Sequence, residues 1–326
     1  YRTSCSVIAS IFITFRRQQR PLTKIYTMQH WTKAPLLALL LGLAIWTPMQ
    51  AQAPEAGAAF STTIPGTTVA VETVYLPGGT FEWQRGEVTQ KAEIDPFWIG
   101  TYEVTHDLFS LFQHREEDTD ESNWEGGGFE ADAVSRPTPP YIDVTFGMGH
   151  ELRHPAVNMT QQAALLFCGW LYQKTGEFYR LPTEAEWAYA CQLSTKEMGE
   201  LDAHAWHYGN SEETYHEAGE KAPTGLGIYD LLGNVAEWTL DAYTEPETAG
   251  EEVLDNPWAV PEQRYGRVVK GGSFDSDAED CTCMAREKSS IRWQQRDPQI
   301  PKSLWWNTDS PFVGFRLVKP AKQPSP

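Results

Sequence analysis

No stretch of this chain is apolar for long enough to cross a bilayer as a helix. Its most apolar segment, Leu36 to Trp46, holds eleven residues, where a spanning helix needs about 20. Basic residues are scarce as well: 26 Lys and Arg stand against 44 Asp and Glu, a formal charge of -18. Residues 1–53 hold six of those bases and none of the acids, so the remainder carries 20 against 44, or -24. A surface this acidic repels phosphate backbones and anionic lipid, which argues against nucleic acid as a partner and favours divalent cations as counter-ions. Internal repeats and linker-like composition are absent after residue 60, so a single domain is expected. G-x-S-x-G, Walker, zinc and dinucleotide motifs are missing too, and the glycine pairs sit in turn contexts.

What is present suits a sizeable core. Hydrophobic residues make up 41%, and 13 Trp with 25 Gly suggest irregular backbone wedged together by aromatic rings. The amino terminus reads as an export signal over residues 28–53. Met28 opens a short n-region with Lys33, the apolar segment follows, and Ala51-Gln52-Ala53 offers a cleavage site. Such a signal places the mature protein in a periplasm or outside the cell. No cysteine at the cleavage point invites a lipid anchor. Residues 1–27, with Cys5, read as lying upstream of the true start. Residues 54–69 are small, polar and Pro-containing, a flexible lead-in to a domain over 70–320, with a tail at 321–326.

Local signals place the elements. Val71 to Trp83 alternates and turns at Pro77-Gly78-Gly79, as a strand pair would, and Phe97 to Gly100 reads as another strand. Thr105 is the expected N-cap of a short helix bearing Leu108, Phe109 and Phe112. Residues 114–153, with an acidic run, the glycine run Gly126 to Gly128 and prolines Pro137, Pro139 and Pro140, read as a long loop. Thr160 caps the clearest helix, Gln161 to about Lys174, which stops at Gly176 and turns Ala164, Phe167, Cys168 and Leu171 inward. Thr183-Glu184-Ala185-Glu186 is a capping box. After a polar stretch from Tyr243 to Arg264, strands are expected at Arg267–Phe274 and Val313–Val318. Short strands, modest helices and long loops make an α+β domain with little regular secondary structure.

Three separated motifs carry more. RLPTEAEWAYAC (Arg180 to Cys191), GLGIYDLLGNVAEW (Gly225 to Trp238) and KGGSF…GFRLV (Lys270 to Val318) resemble, in this order, the formylglycine-generating enzyme family, also called sulfatase-modifying factors. The resemblance covers roughly residues 70–319 and implies a C-type-lectin-like fold. In the enzymes of this family two cysteines, three and eight residues after the Ser of GGS, bind copper and oxidise a substrate cysteine of a sulfatase to formylglycine. Here Ser273 sets the register; Cys281 matches the second cysteine, and Ser276 stands in place of the first. A hydroxyl cannot replace a thiolate for Cu(I), which prefers soft sulfur. Ala236 and Phe312 stand where the enzyme has a Trp and an Asn near its cleft. A rearranged copper pair of Cys281 and Cys283 is the alternative, since residues two apart on an extended strand share a face.

The resemblance also implies a disulfide between Cys191 and Cys283, which an exported protein permits. It further implies a structural calcium site built from the Asp230 side chain, the Gly233 and Val235 carbonyls and the Glu237 side chain, oxygen donors of the kind this ion takes. Cys168 matches a disulfide cysteine whose partner position is Leu317, and reads as a buried free thiol. The separate His-bearing domain of related iron enzymes is absent, and His204 and His207 lack a nearby third ligand. The expectation is an exported, diverged family member that binds a protein or glycan partner with Ser273 and Cys281 as remnants of the catalytic set. The alternative is a formylglycine-generating oxidase acting on a sulfatase.

Overall fold

Three helices carry the interior of the computed structural model, which describes residues 53–114, 143, 145–246, 252–295 and 307–323. Helix α1 (His106–Gln113) follows Thr105, whose backbone is extended as an N-cap requires. Its hydroxyl does not cap, however: it donates to the Asp107 carboxylate, which in turn takes up the Leu108 N–H at 2.8 Å. The short acidic side chain inside the first turn outcompetes the hydroxyl for that N–H. Helix α2 (Gln161–Thr175) starts as expected, with the Thr160 hydroxyl accepting from Ala163 N, and ends at Gly176 with φ 73°. Asn158, part of a glycosylation-like triplet with Thr160, is 1% exposed and out of reach of any modifying enzyme. In α3 (Glu184–Ser194) both halves of the Thr183–Glu186 capping box are made. This helix is buried almost all round, and Ala185, Ala188 and Ala190 let neighbouring backbone approach it.

The strands form three small sheets. Ala59–Thr63 (β1), Ala70–Leu76 (β2), Phe97–Gly100 (β5) and Val318–Pro320 (β11) lie in the order β1-β2-β5-β11, antiparallel throughout. Gly79–Arg85 (β3) and Val88–Ile94 (β4) make a hairpin extended by Val253–Asp255 (β7), which runs parallel to β4. The third sheet orders Val313–Gly314 (β10), Ala236–Ala242 (β6), Arg267–Lys270 (β8) and Arg286–Lys288 (β9) as β10-β6-β8-β9. In the first sheet Val74, Ile99 and Val318 face one another across three strands, an apolar row that locks the register against the α3 side of the core. A second aromatic cluster joins α1, α2 and the closing segment, with Phe109 and Phe167 packed on Phe315 at 6.0 and 5.6 Å. Truncating one of these rings to Ala costs about 3–5 kcal/mol.

Three expectations need correction. The lead-in 54–69 contains β1, because an edge strand buries only half its surface: Thr62 bonds to the Tyr179 hydroxyl at 2.8 Å and Phe60 leans on Trp98. The two strands either side of Pro77-Gly78 do not pair with each other. Gly78 (φ 73°) passes so close to Ile94 that a Cβ would lie 2.4 Å from its carbonyl oxygen, which sends β2 and β3 into different sheets. The closing segment is two strands, split where Arg316 turns into the interior. The export signal, residues 1–27, and most of the 114–153 loop lie outside the described residues. No described helix is long and apolar enough to cross a membrane. The described residues, 53 to 323, belong to one compact unit.

Candidate functional site

The GGS loop leaves β8 through two glycines in the left-handed region, Gly271 (φ 96°) and Gly272 (φ 74°). Both are required by close approach. A Cβ on Gly271 would meet the Leu231 carbonyl at 3.0 Å, and one on Gly272 would meet the Cys281 sulfur at 2.9 Å. That tight packing brings Cys281 against the loop, its Sγ 4.0 Å from the Ser273 carbonyl. Ser273 and Cys281 are thus together, as the motif spacing implied. Ser276 closes the same turn from the other end. Its hydroxyl accepts from Ser273 N at 3.0 Å and lies 3.3 Å from the Ser273 hydroxyl, while its own N–H is held by the Ser273 carbonyl. Tyr208 N donates to the Ser276 carbonyl at 2.9 Å, which puts a half-exposed aromatic ring beside the loop.

These atoms do not make a copper site. Cys281 is 2% exposed, and burial pushes its thiol up to about 11. Cys283 forms a disulfide with Cys191, Cα to Cα 5.5 Å. Its sulfur is therefore spent, and the Cys281–Cys283 pair expected as an alternative copper donor set is not formed. What remains is one protonated thiol with two hydroxyls folded back on their own backbone.

The Asp230–Glu237 segment wraps a second, more deeply buried centre. Asp230, Gly233 and Asn234 all have positive φ, so the chain coils tightly here. Asp230 Oδ2 accepts from Gly219 N at 2.7 Å, and its buried Oδ1 has no hydrogen-bond partner. Glu237 accepts from Trp187 Nε1 at 2.7 Å on one oxygen and from Arg316 on the other. Arg316, fully buried, also donates to the carbonyls of Gly100, Thr101, Tyr229 and Asp230. Glu103 completes the group by accepting from Asn234 Nδ2 (2.8 Å) and Val235 N (3.1 Å). One guanidinium therefore faces three buried carboxyls. Desolvation, then the neighbouring acids, pushes Glu103 well above its ordinary range. Desolvation also raises Asp230 to about 6.

Surplus acid and an orphaned Asp230 oxygen are what a divalent cation would satisfy, so the expected calcium donors fit on the Asp230 side. At Glu237 a cation would share oxygens already held by Trp187 and Arg316. Among the described residues no three His, Cys, Asp or Glu side chains converge as a metal site, so such an ion would lean on backbone carbonyls. Sequence reasoning missed two members of this centre. Arg316 stood inside the GFRLV motif, but Glu103 belongs to no local pattern and reaches the centre only through the fold.

A compact α+β domain with small sheets and long loops is the C-type-lectin-like class that the motifs implied. Residues 61–321 match the sulfatase-modifying factor enzyme 1-like domain, and the chain belongs to that family. It is 30% identical over 163 residues to the formylglycine-generating enzyme of Bos taurus, covering 43% of this chain and 41% of that protein. It is 26% identical over 259 residues to the chaperone protein LppX of Paenibacillus barcinonensis, covering 69% of this chain and 86% of that protein. Against the inactive C-alpha-formylglycine-generating enzyme 2 of Mus musculus it is 25% identical over 304 residues, covering 77% of this chain and 86% of that protein. Among solved structures, PvdO from Pseudomonas aeruginosa has the same fold, with a TM-score of 0.59 at 21% identity, over 82% of this chain and all of that one. Treponema denticola variable protein 1 gives 0.57 at 21%, over 80% of this chain and 99% of that one.

Proposed function

We propose that this chain is an exported member of its family that recognises a protein partner through the surface around the GGS loop and does not oxidise it. One observation carries the reading: Ser276 presents a hydroxyl, bonded back to Ser273, at the position where copper chemistry needs a soft thiolate. The disulfide of Cys283 and the protonated state of Cys281 support it. Relatives named as a chaperone and as an inactive enzyme are consistent with protein binding without catalysis. Half-exposed Tyr208 and the exposed Phe146 and Leu152 provide apolar contact area on segments tied to this loop. Tyr208 is joined to Ser276, and Met148 of the 145–153 segment packs on Tyr215 and Phe274. The test incubates purified protein, Cu(I) and a peptide containing Cys-x-Pro-x-Arg. The peptide should keep its thiol mass and the protein should bind no stoichiometric copper, whereas Ser276→Cys should take up one equivalent. Aldehyde formation by the unaltered protein would overturn the reading.

Calcium is part of the same proposal. Asp230, Glu237 and the carbonyls of Gly233 and Val235 would hold it, and the ion would supply positive charge against the surplus of buried acid. EDTA should lower the melting temperature and added Ca²⁺ restore it, and Asp230→Ala should abolish that response. A melting curve indifferent to both removes calcium from the account.

A further inference from the structure

Away from the GGS loop, a cavity of about 630 Å³ opens between the tip of the β3–β4 hairpin, the chain leaving β6 and the start of β9. Two guanidinium groups line it, Arg85 and Arg286, beside Tyr243, Val88, Met284 and Pro246. Their acidic neighbour is shared unequally. Glu184 takes Arg286 in a two-point pair at 2.8 and 3.1 Å but lies 3.8 Å from Arg85. Arg85 donates from one terminal nitrogen to the carbonyl and hydroxyl of Thr244, and its Nε has no acceptor. The Arg85 side chain is only 10% exposed. Each fork is held flat on an aromatic ring, Arg85 on Trp83 at 4.7 Å and Arg286 on Tyr243 at 4.2 Å. Burial, and then the like charge of Arg286, pull the Arg85 pKa down against the pull of Glu184. A further anion at this wall would relieve both strains.

The lining selects the kind of anion. Arg286 already has both terminal nitrogens on the Thr244 carbonyl, so the open donor is on Arg85, whose planar fork matches a carboxylate. Glu87 and Glu245 also line the cavity and disfavour a doubly charged phosphate or a polyanion. Val88, Met284 and Pro246 offer apolar wall to whatever carries the acid, and the volume admits a dipeptide-sized group.

We propose that this cavity binds a peptide carboxylate, its oxygens on the Arg85 fork beside the charge of Arg286 and its apolar neighbour against Val88 and Met284. It shares no residue with the GGS loop, so the redox reading can fail without touching it. Two sources supply this chemistry, an acidic side chain and a chain terminus, and calorimetry on the full chain separates them. One arm uses acetyl-Leu-Glu-amide, the other acetyl-Ala-Leu with a free terminus, and inorganic phosphate alone is the control. One of the two peptides should bind with unit stoichiometry, and phosphate more weakly than either. Met284→Glu, at a 45% exposed position, should weaken binding at least about tenfold at unchanged melting temperature, and Arg85→Gln should do likewise. If Arg85→Gln fails to fold, Met284→Glu alone decides. Binding of neither peptide, equal binding by Met284→Glu, or tighter binding of phosphate each overturns the assignment.

Discussion

Arg316 spends its guanidinium on Glu237 and four carbonyls from three separate segments, with no contact to water. A lysine at this position would carry the charge but could not fork, and would leave Glu237 and several carbonyls unsatisfied in the interior. Arg316→Lys should therefore cost about 3–5 kcal/mol, in the range of broken buried pairs, read as a lower urea midpoint at unchanged slope. A loss below about 1 kcal/mol would mean that water replaces the missing donors. The same scale explains the silence of Ser276. Its identity was plain in the sequence, but its hydrogen bonds to Ser273 follow from a loop held by Gly271 and Gly272, which no spacing rule describes. Cys168 was read as a buried free thiol, and it is one, its pKa pushed up to about 12 by burial.

At the scale of elements, α3 is joined to the segment before β9 by Cys191–Cys283, across 92 residues. Closing a loop of that length restrains the unfolded chain by about 4–5 kcal/mol in the chain-entropy model. The double variant Cys191→Ala, Cys283→Ala should melt well below the parent, and reductant should lower the parent but not the variant. Equal melting temperatures with and without reductant would show that the bridge contributes nothing. Helix limits were legible where a local signal marks them: Thr160 and Gly176 bound α2, and the Thr183–Glu186 box opens α3. The strand partners were not. Only Gly86, in the left-handed region at φ 60°, marks the two-residue turn of the β3–β4 hairpin, and nothing near Ala59 says that a polar, alanine-rich stretch will edge a sheet.

At the scale of the whole molecule, three buried carboxyls resist ionisation. Desolvation raises Glu103, Asp230 and Asp241 together, Asp241 to about 7 even with backbone N–H bonds from Ala259 and Glu184 opposing it. A carboxyl whose folded pKa exceeds its unfolded value stabilises fully below the unfolded value, about 3.9. That contribution is lost as pH rises through the folded value. Calcium-free protein should accordingly melt lower as pH climbs from about 5 to about 8. Lys270, lowered to about 8 by burial, acts the other way and only above that pH. Asp241→Asn should flatten the slope, by at most roughly 1.4 kcal/mol per unit of the lost shift. It should also start from a lower plateau, because an amide cannot accept from both N–H groups. A slope unchanged in the variant would remove Asp241 from the account.

The sequence alone determined the family, the helix ends, the glycine turns and the missing thiolate, because each of these is written in residues close together along the chain. Only the tertiary structure decided which strands pair, and that Glu103 and Arg316 meet around Asp230 and Glu237. Those outcomes depend on burial and long-range approach, which set hydrogen-bond partners and ionisation through the surroundings of a residue.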